Sequence, residues 1–295
     1  MLPFLIFVIV CGRACCGIVS NHGIQMNPGK KAGPKAETKH FMVDLPRRVF
    51  RRVNRADPIP VEQPKKDELA ARMRRFDLFA KLPKRILTEL VSVSRVGVYR
   101  TGEHLWRHHE PALQAVFIES GFVKAARSDS EGLRRTYGLF GPGDSMGLFA
   151  IWSGTGYPTD AIALNEGLTL ISVEAEAILG FIEKNPRQSA PVRREIGNFT
   201  EAFINKIEIV SAGTVPERLA VLMVQLIDRY GVEKKGTYAR LPISLTLEQL
   251  SEIVGARLET VARALGVWKR SGWLHIDSNG CHFARFDKVR ELLKK

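Results

Sequence analysis

The sequence predicts an α+β protein in which a β-barrel or jelly roll is followed by a long helix and then a winged helix-turn-helix. Three observations carry this. Short apolar or alternating runs, broken at near-regular intervals by glycine, fill residues 96–173. A heptad-like apolar stripe follows over residues 192–210. Two short helical patterns joined at Gly255, with an Asn-Gly hairpin signal behind them, occupy residues 245–286. At 295 residues and 45% hydrophobic content, the chain has room for two packed domains and a tail.

The N-terminal part lacks these patterns. Residues 1–11 form an apolar run of secretory length with no basic residue before it, which makes a poor signal peptide. An upstream start or a disordered extension is the preferred reading, with Met26 and Met42 as alternative starts. Residues 21–67 mix Gly, Pro, Lys and Arg without apolar periodicity, so the extension is assigned to residues 1–70. Helical order is expected near Phe76, where Leu78, Phe79, Leu82, Ile86, Leu90 and Val91 recur around Pro83. A roll domain is assigned to residues 71–190, because many short strands close most economically into a barrel or jelly roll.

The next segment, residues 191–214, reads as one long helix and a hinge. Val192, Ile196, Phe199, Phe203 and Val210 form its stripe, which suits either packing on the chain's own barrel or a seam between two copies. The seam is preferred because the stripe is narrow and made of aromatic and β-branched residues. A second helix follows Pro216, with Leu219, Leu222, Met223 and Leu226 on one face, and opens a domain over residues 215–295.

Within that domain Thr246 and Gln249 have the spacing of a capping box at the start of a helix ending at Gly255. Residues 256–269 read as the second helix, with Val261, Leu265 and Trp268 inward. Its outward face carries Arg257, Leu258, Glu259, Ala262, Arg263 and Arg270. Arginine can pair with O6 and N7 of guanine and glutamate can accept from the cytosine amino group, so Glu259 and Arg263 suit base reading in a major groove. The same spacing also suits a surface ion pair of about 0.2–0.5 kcal/mol. The hairpin signal Ser278-Asn279-Gly280 favours the first reading, because a hairpin behind a recognition helix is a wing. Thr246, Arg257, Lys269, Arg270, Ser278 and Asn279 are then candidates for phosphate contact.

Charge supports a polyanionic partner. The net charge of +13 is distributed as +9 on residues 1–75, −1 on residues 76–215 and +5 on residues 216–295. Four cysteines, three of them at positions 11, 15 and 16, are too few for a disulfide framework, and a cytoplasmic location is expected. No window reaches the roughly 20 apolar residues of a membrane span.

With these parts in order, the sequence resembles the CRP/FNR family of bacterial transcription regulators from about Phe76 to Leu293. The most specific residues are Leu245-Thr246-Leu247-Glu248-Gln249-Leu250, Ile253-Val254-Gly255 and Glu259-Thr260-Val261-Ala262-Arg263-Ala264-Leu265. Phe76-Asp77-Leu78-Phe79, Leu82-Pro83, Gly102-Glu103, Ser120-Gly121, Gly141-Pro142-Gly143-Asp144 and Glu217-Arg218-Leu219-Ala220 add to it. The resemblance implies a cyclic-nucleotide-binding-like β-roll effector domain, a dimerisation helix and a DNA-reading winged helix. It also implies a homodimer on palindromic double-stranded DNA, with RNA polymerase as a further partner, and base contact by Glu259 and Arg263. Leu258 stands where cyclic-AMP receptors carry a second arginine.

The effector pocket departs from the family. Cyclic-nucleotide binders neutralise the phosphate with a Glu and an Arg, but the matching stretch here is Gly147-Leu148-Phe149-Ala150 and Gly156-Tyr157-Pro158-Thr159. The base-bonding positions of the long helix fall near Phe203 and Ile204. Burying a phosphodiester without a cation is costly, so cyclic AMP is not expected and no cofactor is predicted. Two weaker options are an iron-sulfur cluster, whose cysteines would come from the leader (Cys11, Cys15 and Cys16) and the wing (Cys281), and a haem or metal on His104, His108 and His109, for which lone surface histidines are the commoner reading. A rival function is a nucleotide- or small-ligand-sensing module without a DNA-binding role. No catalytic constellation points to an enzyme.

Overall fold

A computed structural model of the chain describes residues 58–128, 132, 134–186 and 190–294. The apolar leader, Cys11, Cys15, Cys16, Met26 and Met42 lie outside the described residues. Folded structure starts earlier than the assigned boundary at residue 70. Ile59 donates its N–H to the Val98 carbonyl at 2.8 Å, and α1 (Lys66–Met73) buries Leu69 and Met73, four residues apart. Two apolar side chains among lysines and arginines are too few to announce this helix in sequence, but they suffice once the roll supplies a surface. Arg72 of α1 donates to Glu119 across that surface, Nε to Oε1 at 2.9 Å. The short helices α2 (Asp77–Ala80) and α3 (Lys84–Ser92) follow.

The roll is made of β1 (Ser94–Tyr99), β2 (His104–Trp106), β3 (Gln114–Ser120), β4 (Val123–Ser128), β5 (Arg134–Phe140), β6 (Ser145–Met146), β7 (Asp160–Ala163) and β8 (Leu168–Glu174). They pair antiparallel in two four-stranded sheets, ordered β1-β8-β3-β6 and β2-β7-β4-β5. Val116, Ile118, Leu168 and Leu170 of one sheet meet Leu105, Val123, Ala125 and Ala161 of the other in a single core. One helix interrupts the strands, α4 (Leu148–Ser153), in a stretch whose apolar run gave no helical period to read.

Three helices connect the roll to the C-terminal domain: α5 (Ala175–Lys184), α6 (Ala190–Ser211) and α7 (Val215–Tyr230). The 22 residues of α6 span about 33 Å. The hinge expected at residues 211–215 coincides with the break between α6 and α7, where the Thr214 N–H donates to the Glu217 carboxylate at 2.7 Å. The remaining elements are β9 (Glu233–Lys235), β10 (Tyr238–Leu241), α8 (Leu247–Val254), α9 (Leu258–Arg270), β11 (Leu274–Asp277), β12 (Gly280–Phe283) and α10 (Phe286–Glu291). The strands form one sheet, ordered β11-β12-β10-β9. The first two were not foreseen, because all three β9 side chains are exposed and give no alternation. The second hairpin strand stops at Phe283, and Phe286 turns into α10 and buries there.

One apolar core joins α7, α8, α9 and this sheet, and it reaches the roll through Phe122, whose ring meets Tyr230 edge-on at 5.2 Å. A polar knot lies beside it. Buried Asp144 accepts from the Gly141 N–H at 2.7 Å, from Arg229 at 2.6 Å and from the Tyr230 hydroxyl at 2.5 Å. Burial and the Asp144 charge push the Tyr230 phenol well above its ordinary range, so it stays a donor.

Candidate nucleic-acid interface

The helix pair at the centre of the interface follows from local chemistry. Gln249 donates its N–H to Thr246 Oγ1 at 3.2 Å, and Gln249 Oε1 accepts from the Thr246 N–H at 2.8 Å, which satisfies two orphan donors at the start of α8. Gly255 ends that helix in the left-handed region, φ 65°, where a side chain would be strained. After Arg257 as N-cap, α9 starts at Leu258, two residues later than expected, and buries Val261, Ala264, Leu265 and Trp268.

Burying that face leaves the other one open. Glu259, Arg263 and Arg270 are exposed at intervals of four and seven, and Leu258 is 39% exposed at the first turn. Ala262 is half-buried beside them. Among the described residues no ion pair joins Glu259 to Arg263, so the alternative of a closed surface pair is not realised. Gly266 lies on the same stripe, and a Cβ there would meet the Arg270 guanidinium at 3.2 Å. Sequence reasoning passed over Gly266, although its position three after Arg263 places it on the reading face.

The hairpin β11–β12 stands behind α9 with Ser278 and Asn279 exposed at its tip. The Asn279 N–H donates to Asp277 Oδ1 at 2.7 Å, and this bond, with His282 beside it, holds the Asp277 carboxyl below its usual range. Lys269, Arg270 and Arg257 are exposed around the helix, and the Thr246 side chain, besides accepting the cap bond, also bonds the Glu248 carboxylate. Cys281, by contrast, is buried at 2% exposure, and burial pushes its thiol up to about 11.

A stripe of exposed Glu and Arg on the second helix of a capped pair, backed by a hairpin, is the layout of a DNA-reading winged helix. The chain's two domains match two family models, residues 96–185 the cyclic nucleotide-binding domain and residues 217–292 the Crp-like helix-turn-helix domain. The chain belongs to the CRP/FNR family. It is similar to the CRP-like cAMP-activated global transcriptional regulator of Mycobacterium tuberculosis, 27% identical over 176 residues, which cover 60% of this chain and 78% of that one. It is also similar to the fumarate and nitrate reduction regulatory protein of Escherichia coli K12, 24% identical over 201 residues, covering 68% and 79%. FixK2 from Bradyrhizobium japonicum shares the fold, with a TM-score of 0.60 at 19% identity over 68% of this chain and 97% of that one. This CRP/FNR chain is thus a DNA-binding transcription regulator and not an enzyme.

The roll of this family member holds the expected pocket residues in an arrangement the sequence did not reveal. Gly147, φ 93°, opens α4 so close to β3 that a Cβ would lie 2.8 Å from the Gln114 carbonyl oxygen. Tyr157 is 1% exposed, stacked on Trp106 at 4.1 Å, and its hydroxyl donates to the Gln114 carbonyl at 2.7 Å. Leu148 and Thr159 are buried, Pro158 is half-buried, and no charged residue occurs from 147 to 159. Phe149 stacks on Phe199 of α6 at 5.1 Å, with Phe203 edge-on to Phe199 at 4.9 Å. Ile204 is 52% exposed and belongs to the opposite side of α6. At the roll's edge His104 Nε2 is buried 3.8 Å from Asp160, while the His108 and His109 rings lie 3.5 Å apart. Burial lowers the His104 imidazole, with Arg107 adding to the effect.

The seam residues on α6 divide in the same way. Val192 is buried at 1% in the chain's own core and offers nothing to a second copy, while Ile196 and Phe199 pack partly against that core. The large apolar side chains that α6 exposes are Ile204, Ile207 and Val210. With Thr200 and Ser211, Ile204 and Ile207 recur at intervals of four, three and four, a stripe rotated from the expected one. The sequence carried both stripes, and only the roll's position decides which is open.

Proposed function

We propose that this regulator is a homodimer that reads a palindromic double-stranded site, placing one α9 in each of two successive major grooves. The observation that carries this is the unpaired, exposed Glu259–Arg263 stripe with a wing behind it. The open face of α6 supports the dimer, since exposed Ile204 and Ile207 recur with Thr200 and Ser211 at the four-three-four spacing that a two-stranded seam needs. A role on DNA places the protein in the cytoplasm, with RNA polymerase as the natural further partner of a transcription regulator; among the described residues no helix is long and apolar enough to cross a membrane.

The effector is not a cyclic nucleotide. Support comes from the Trp106–Tyr157 stack filling the roll and from the uncharged stretch 147–159, which offers no counter-ion to a phosphodiester. Selection of bound sequences from random duplexes, with the winner titrated against salt, tests the main reading. An enriched palindrome is expected, and none would defeat it. Calorimetric titration tests the effector statement, which micromolar cyclic-AMP binding would overturn.

A further inference from the structure

Basic side chains from three elements converge on the last turn of α8. Lys124 of β4, buried at 6% exposure, places Nζ 2.5 Å from Glu252 Oε2. Thr136 Oγ1 of β5 donates to the same oxygen at 3.1 Å. Lys206 of α6 donates to the Ile253 carbonyl and, at 3.4 Å, to that of Glu252. Arg218 of α7 reaches the Val254 carbonyl at 3.4 Å. These carbonyls are among the last four of α8, which have no partner within the helix and form its negative end. Burial, with Arg135 adding to it, lowers the Lys206 ammonium to about 8, so this cation sits there against its own desolvation.

As a stabilising device the arrangement is poor, because an ion pair taken out of water gains about as much as it loses, and a well-packed apolar pair does as well. It does impose one geometry, through two donors on one carboxylate oxygen. The strands that supply them are themselves shaped for the purpose: the β4–β5 register shifts between Ala125 and Ala126, leaving Ala126 opposite Thr136 and Tyr137 as the extra residue. A bulge of this kind re-aims the neighbouring side chains. On the other side only Gly255 to Arg257 separate α8 from α9, and buried Val254, Val261 and Leu265 share one core. Whatever orients α8 therefore orients α9.

We propose that Glu252 is a positioning residue: clasped by Lys124 and Thr136, it sets the angle at which α9 is presented to DNA, and so the separation of the two reading helices. The proposal rests on the dimeric DNA-reading function above. Reading helices must stand about 34–36 Å apart to enter successive grooves, so a fixed angle becomes a fixed half-site spacing.

The test is the affinity of the full chain for palindromes whose half-site centres are moved in or out by one and two base pairs. The parent protein should show one sharp optimum, falling about tenfold for a two-base-pair change. Lys124→Met combined with Glu252→Leu replaces the pair by apolar side chains and should keep the thermal midpoint while flattening the profile to within about threefold. Should the double apolar variant fail to fold, Glu252→Gln, which keeps the shape, is read instead. A sharp optimum retained in a folded variant overturns the proposal. A parent protein with no preferred palindrome at any spacing overturns it too, and is recognisable as failure of the dimeric reading itself.

Discussion

The roll and the winged helix treat their polar groups in opposite ways. Inside the roll Tyr157 is stacked, buried and hydrogen-bonded through its hydroxyl, and the segment around it carries no charge. On α9 the charged side chains Glu259 and Arg263 stand in solvent without pairing to each other, while Val261, Ala264, Leu265 and Trp268 bury the other face of the helix. Both regions match family models, yet the exposed charged stripe belongs to the winged helix, while the roll buries its unpartnered polar atom, His104 Nε2. Family membership locates a site, and the bonding state of its side chains decides whether the site is open.

That contrast can be broken at either end. The largest effect is expected in the roll: Tyr157→Ala removes a fully buried ring and its hydrogen bond, and should cost about 3–5 kcal/mol in denaturant unfolding. A much smaller loss would mean that the interior is not packed as described. On the open side, Arg263→Ala should leave stability unchanged while weakening binding to the selected palindrome by about 1–3 kcal/mol and to random duplex far less. Equal losses on both duplexes would reduce Arg263 to a phosphate contact.

Smaller effects sharpen the comparison. Thr246→Ala deletes the cap of α8 and should cost about 1 kcal/mol of stability. Amide exchange would localise that loss to α8. The smallest effect is a pH dependence at Lys206, whose folded value of about 8 lies below the ordinary 10.5. Between these values the unfolded chain binds the extra proton, so this group's contribution to stability rises as pH increases from about 8 to 10.5. Lys206→Met should remove that rise; an identical pH profile in the variant would show that the side chain is solvated.

The elements that could be read in the sequence are those whose signals are local. The Thr246–Gln249 box, Gly255, the Asn279-Gly280 turn and the α9 face all depend on residues a few positions apart, and all appear where expected. The elements that could not be read depend on distant partners. Helix α1 needs the roll to cover Leu69 and Met73, and β9 is a strand only because β10 pairs with it. In the roll the missing phosphate cations were visible as residue types, but the ring that fills the space was not, since Tyr157 meets Trp106 across fifty positions of chain. Glu252 carries no local signal of its role, because its partner Lys124 lies 128 positions away. On α6 the expected stripe divides, Val192 buried and Val210 exposed, because the roll covers the first and not the second, and that neighbour lies outside the helix's own sequence.

The environment of Cys281 bears on how the reading domain meets oxidants. Burial pushes its thiol up to about 11 and leaves it almost no surface, so the thiolate is disfavoured at neutral pH. The thiolate is the nucleophile that attacks peroxide and disulfides, so burial shields the Cys281 side chain of the wing from both.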